Sequence, residues 1–283
     1  MSVVNEVLAL LELEPLEVNI YRGQNRDLGT GRVFGGQVFA QALVAARRTV
    51  EGPREAHSVH GYFLRAGDLA APIVFFVDRP RDGGSFTSRR VTAIQHGEAI
   101  FHLSASFQVA EGGLEHQGRM PEVPAPETLV PELELLRARA ESFPPELRQV
   151  LTQDRAVDFR MVPMAEEPGG IPRRAAWFRV ISPIADDAIL HQAVLAYASD
   201  YGFLPTALLP HGVPIRDPRL MLASLDHTLW MHRPFRTDDW LLYVMDSPSA
   251  AGARGFVRGE VYTRAGTLVA STAQEGLIRL RSR

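Results

Sequence analysis

Residues 58–108 and 224–274 present apolar and polar positions in the same order. Each segment opens with a serine and an aromatic-rich run (Ser58, Ser224). A second run ends in an aspartate (Asp78, Asp246), and a turn of small residues follows. An arginine-bearing run comes next (Arg89 and Arg90; Arg258), then a glycine turn (Gly97, Gly266). A run of small and apolar residues closes each segment. Strand-length runs bounded by Gly, Asp and Pro predict an antiparallel meander, written twice.

A helix is predicted ahead of each meander. The first is GGQVFAQALVAARRTV, residues 35–50. The second is DDAILHQAVLAYASDYG, residues 186–202, whose apolar positions 190, 194 and 197 keep helical spacing. Asp186 or Asp187 is placed to cap its start. Between the halves, residues 118–150 are rich in proline, which predicts an extended connector with one short surface helix in PELELLRARAESF. The pattern is α+β: two units, each one helix followed by four or five strands. The expected division is 1–115, a connector over 116–153, and 154–283. A half-buried sheet needs a cover, and the helix supplies it. Two tandem units can also join their sheet edges and so protect them.

The chain has 283 residues, 46% apolar and 22% charged, with a net charge of −3 and a pI near 6.3. That balance gives no reason to expect a polyanion-binding surface, so nucleic acid is not an expected partner. All thirty basic residues are arginine. A Schiff-base lysine and a P-loop lysine are therefore excluded. Without cysteine there is no disulfide, thiolate metal site or cysteine nucleophile. The N-terminus is studded with Glu and does not read as a signal peptide, and no apolar run is long enough to span a bilayer. The C-terminal Arg-Ser-Arg is no peroxisomal address. A cytoplasmic location is expected.

Asp200, in ASDYGFLP, follows an apolar helical stretch and precedes Tyr201, Phe203 and Leu204. A carboxylate in such company is costly unless it is paired or used in chemistry. By itself such a residue is more often a helix cap or a solvated residue. The wider sequence resembles the acyl-CoA thioesterase II family, the TesB type, over nearly its whole length. The stretches that carry the resemblance are YRGQNRDLG, RVFGGQVFAQAL, HSVHGYFLRAGD, ASFQ, YASDYGFLPTALLPHG, SLDHTLWMHRPF, WLLYVMDSPSAAGARGFVRGEVYTRAGTLVAST and AQEG. The resemblance implies a double hotdog: two tandem units, each a curved antiparallel sheet around a central helix. It implies hydrolysis of fatty acyl-CoA to a free fatty acid and coenzyme A, with no cofactor, no metal and no acyl-enzyme. It also implies a homo-oligomer, at least a dimer of these double units.

Carried over by motif, the aspartate of the family's ASD is Asp200. The hydroxyl residue before DH is Ser224, where some members have Thr, and the glutamine of QEG is Gln274. In the family such a trio holds the attacking water. An ionised Asp200 can accept the water's proton, and Ser224 and Gln274 can direct its hydrogen bonds. Apolar neighbours are expected to raise the pKa of Asp200 above the ordinary value of about 3.9. Gly35 and Gly36 open the first helix, where backbone can approach a ligand and N–H groups can face an oxyanion. Laying residues 36–46 over 191–201 sets Gln37 on Gln192 and Ala45 opposite Asp200, so one catalytic centre per chain is expected.

Coenzyme A carries phosphates, which makes Arg89, Arg90, Arg254 and Arg258 candidates by composition. His60 and His102 are expected as half-buried strand residues. His227 and His232 lie on opposite faces of a strand at this spacing and are not expected to share an ion. The chain has no G-x-S-x-G; Gly83-Gly84-Ser85-Phe86-Thr87 lacks the last glycine. GTGRVFGG suits a helix start better than a dinucleotide loop. Two rivals are a non-catalytic acyl-CoA sensor and a hotdog enoyl-CoA hydratase. The full trio disfavours the first, and the lack of a His at the matching spacing disfavours the second.

Overall fold

The computed structural model describes residues 2–29, 31–164 and 170–281, with the backbone alone for Glu146. Ser282 and Arg283 of the C-terminal tripeptide lie outside the described residues. The chain opens with α1 (Val3–Leu11), capped by Ser2, and a hairpin of β1 (Glu14–Glu17) and β2 (Ile20–Gly23). The long helix α2 (Gly35–Arg47) follows, then the meander β3 (Arg54–Phe63), β4 (Ile73–Asp82), β5 (Phe86–Gln95) and β6 (Glu98–Val109). The connector holds the short helices α3 (Glu132–Ala138) and α4 (Pro145–Thr152). The second half repeats the plan: β7 (Val157–Val162), β8 (Arg173–Val180), α5 (Ala188–Ser199), then β9 (Leu220–Ser224), β10 (Asp226–Met231), β11 (Leu241–Ala251), β12 (Arg254–Thr263) and β13 (Leu268–Leu280).

The molecule is a double hotdog. Among the described residues, thirteen strands form one antiparallel sheet in the order β1-β2-β4-β5-β6-β3-β10-β13-β12-β11-β8-β7, with β9 also on β13. The halves meet where β3 pairs with β10, His227 facing Gly61. The repeat persists down to its irregularities. Asp78 faces Arg90 and Asp246 faces Arg258, and each ladder slips register just beyond the aspartate. The turn from β5 to β6 is the two-residue His96-Gly97, both at positive φ, as a tight twisted hairpin requires.

Both long helices lie inside the sheet's curve and against each other, with Gly36 beside the Tyr197 carbonyl. Every residue of α5 from His191 to Ser199 is buried, as are most of α2. Neither helix has a water face, so their sequences are apolar or small nearly all round rather than striped. Asp187 caps α5 by accepting from the Ile189 N–H. The hairpin strands before each helix (β1, β2, β7, β8) go beyond the sequence expectation of strands only after the helices. β1 and β2 have four residues each, too few to show a pattern, and β8 is buried without a break over residues 175–178. His60 is half-buried as expected. His102 is not: it lies exposed on the outer face of β6.

Candidate active site

Asp200 is the C-cap of α5, and its own N–H donates to the Ala198 carbonyl. Gln274 stands on β13, fully buried. Ser224 is the last residue of β9. Gln274 Nε2 donates to Asp200 Oδ1 at 2.9 Å and to Ser224 Oγ at 2.9 Å. The amide must turn its nitrogen to Asp200, because an ionised carboxylate only accepts. Accepting from Gln274 leaves the Ser224 hydroxyl proton free to donate elsewhere. The Gln274 Oε1 atom is buried and has no partner among the described residues.

Strict alternation along β9–β10 would turn Ser224 to the same face as Asp226 and Thr228. One extra residue prevents this. Between Ser224 and Thr228 the strand carries three residues, while β13 carries only Gln274 and Glu275 between the matching partners Gly276 and Ala273. This β-bulge turns Ser224 inward to meet Gln274.

The first half supplies the other wall. The Gly36 N–H, at the start of α2, donates to the Asp200 carboxylate. A Cβ on Gly35 would stand 2.7 Å from Asp200 Oδ2 and 3.1 Å from the Phe63 ring, and one on Gly36 would stand 2.4 Å from the Tyr197 carbonyl oxygen. Asp200 thus sits between two helix ends: the negative C-terminus of α5 and the positive N-terminus of α2. It keeps some solvent exposure, yet protein crowds it. Desolvation pushes its carboxyl up from 3.8 to about 6, against the opposing hydrogen bonds from Gln274 and Gly36. A carboxylate so tuned is poised to take a proton near neutral pH.

Further buried groups fix the end of α5. Tyr243 OH donates to the Ser199 carbonyl at 3.0 Å and shares a hydrogen bond with Thr272 Oγ1 at 2.8 Å. His227 Nε2 lies 2.8 Å from Ser199 Oγ, which itself bonds the Ala196 carbonyl. Burial lowers the His227 pKa to about 3, so it stays neutral. Tyr201 OH donates to Glu132 Oε2 of the connector at 2.9 Å, and Arg155 bonds both groups.

Asp200, Ser224 and Gln274 come together. Gly35 and Gly36 join them, but Gly36 gives its amide to the carboxylate rather than keeping it for an oxyanion. The arginines do not join them. Arg89 is wholly buried, donating to Thr49 Oγ1 (2.7 Å), to the Thr49 carbonyl (2.9 Å) and to Asp82. It closes the C-terminal end of α2 and is corrected here from a phosphate contact to a structural group. Arg90 is exposed on the outer face of β5, away from the helices. Arg254 pairs with Glu275 and Arg258 with Asp246, both exposed on β12. Sequence reasoning gave no site role to Asp226, Tyr243 or His227, having weighed the histidine and Asp226 only as metal ligands. Only Asp226 carried a signal, lying two residues after Ser224.

The family model for acyl-CoA thioesterase matches residues 147–277, and that for the acyl-CoA thioesterase N-terminal domain matches 25–108. The chain is 39% identical to acyl-CoA thioesterase 2 of Haemophilus influenzae over 281 residues, 98% of each chain. It is 42% identical to mouse acyl-coenzyme A thioesterase 8 over 287 residues, 97% of this chain and 89% of the relative. The crystal structure of an acyl-CoA thioesterase II, TesB2, from Mycobacterium marinum superposes with a TM-score of 0.83 at 44% identity, covering 98% of this chain and 99% of the other. A hot dog fold protein from Alicyclobacillus acidocaldarius shares the fold at a TM-score of 0.78 and 19% identity, over 98% and 99% of the two chains. Matched in both halves and along nearly its full length, the chain belongs to the acyl-CoA thioesterase family.

Proposed function

We propose that this chain hydrolyses fatty acyl-CoA thioesters through a water held by Asp200, Ser224 and Gln274. The observation that carries the proposal is the Gln274 amide, which bonds Asp200 and Ser224 at once and so defines a single point on which all three converge. The water oxygen attacks the thioester carbonyl carbon while its proton passes to Asp200. The carbon–sulfur bond of the tetrahedral adduct then breaks. The coenzyme A sulfur leaves with the proton from Asp200, and the fatty acid is released. No bond forms to the protein. Ser224 and Gln274 orient the water, and the Gly35 N–H at the start of α2 is the proposed oxyanion donor.

Thiol release from decanoyl-CoA tests this. General-base catalysis is worth about 10²–10⁴ in rate, so Asp200→Asn is expected to lose about a thousandfold in kcat. Full activity in that variant would end the proposal. Tight binding without release by the wild type would instead indicate a sensor, and water addition to an enoyl-CoA a hydratase. The proposal extends to a homo-oligomer of at least two chains, which light scattering on the purified protein tests, and to a cytoplasmic location, which fractionation of the native cells tests.

A further inference from the structure

The bulge between β9 and β10 creates a local difficulty. With one residue too many on one strand, the Glu275 N–H loses its ladder carbonyl. Asp226 Oδ1 accepts that N–H at 2.6 Å. Around it, the Leu225 N–H donates to the Glu275 carbonyl at 2.9 Å, and the Leu225 carbonyl accepts from the Phe63 N–H at 2.9 Å. Asp226 Oδ2 lies 3.3 Å from His60 Nε2 on β3, so the first half braces the same carboxylate. One side chain therefore pins the point where three strands adjust. Ser224 lies two residues before it, and Gln274 directly precedes the amide it holds.

We propose that Asp226 is a positioning residue for thioester hydrolysis: its carboxylate locks the bulge in the register that turns Ser224 and Gln274 toward each other and toward Asp200. It faces away from the helices and touches no reacting atom. Its effect passes through the backbone of Glu275. The proposal rests on the assignment of the Asp200, Ser224 and Gln274 trio.

The test compares wild type, Asp226→Ala, Asp226→Asn and Asp200→Asn in decanoyl-CoA hydrolysis, with melting temperatures for each. Small misplacements of catalytic groups cost up to about a hundredfold, so Asp226→Ala is expected to lower kcat about thirtyfold while KM stays within about threefold. Asp226→Asn keeps an acceptor oxygen and is expected to hold kcat within about threefold of wild type. A merely stabilising side chain would lower the melting temperature and leave the folded enzyme's kcat alone. Wild-type kcat in Asp226→Ala, or equal losses in the Ala and Asn variants, overturns the proposal. Should the Ala variant not fold, Asp226→Asn still decides, because a tenfold loss there is incompatible with rescue by the retained oxygen. An inactive Asp200→Asn beside a fully active Asp226→Ala rejects the positioning role alone. A fully active Asp200→Asn rejects the trio on which it rests.

Discussion

Among single residues, Asp200 carries opposite consequences for rate and for stability. Its carboxyl titrates near 6 in the folded protein, raised from 3.8 by desolvation. Only the ionised form accepts a proton from water. The expected outcome is kcat/KM for decanoyl-CoA that rises with pH through about 6 and is level by about pH 7. Stability runs the other way. Between 3.8 and about 6 the folded chain binds a proton that the unfolded chain has released. The penalty is therefore full above pH 6 and fades as pH falls toward 4. It is on the order of 2–3 kcal/mol at most, and an asparagine gives back roughly 1 kcal/mol in a poorer hydrogen bond. Asp200→Asn is thus expected to be more stable than wild type by roughly 1–2 kcal/mol at pH 8, and level with it or slightly less stable at pH 4. Denaturant unfolding at the two pH values checks the sign.

Among elements, the junction of α2 with α5 sets the site's tolerance. A methyl group on Gly36 would sit 2.4 Å from the Tyr197 carbonyl, which is backbone and cannot step aside. Gly36→Ala is expected to cost about 1–3 kcal/mol by forcing the helices apart. It also draws the amide off Asp200, so activity is expected to fall about tenfold, measured beside the melting temperature. Much of this level was legible beforehand. The second helix showed in the spacing of positions 190, 194 and 197, the paired meanders in their repetition, and the trio in its motifs. The bulge at Leu225 did not show, because register comes from pairing with β13 and not from the strand's own residues. The Arg89 error has a similar origin. Composition cannot tell which of two adjacent arginines points inward, and only the ladder sets Arg89 under the sheet and Arg90 above it. Of the strands before the helices, β1 and β2 were lost for want of length, and β8 because residues 175–178 run apolar without alternation.

For the whole molecule, the two halves are unequal partners in one centre. The second half brings Asp200, Ser224 and Gln274, and the first brings Gly35, Gly36 and Phe63 against them. At the other end of the helix pair, Arg89 and Thr49 fill the space beside the end of α2. Residues 118–283 expressed alone would expose the β10 edge and lack the α2 wall. That fragment is expected to release thiol at less than about 1% of the full chain's rate, since removing the catalytic geometry forfeits at least about a hundredfold. The continuous ladder through β3 and β10 has a mechanical consequence as well. Swinging the repeats apart like a clamshell would sever five paired positions, Asp226–Tyr62 through Trp230–Ser58, in one stroke. Breathing is cheaper where backbone is exposed and carries no strand pairing, such as the stretch over residues 212–218 before β9. The seam between the repeats is thus expected to stay shut while substrate comes and goes.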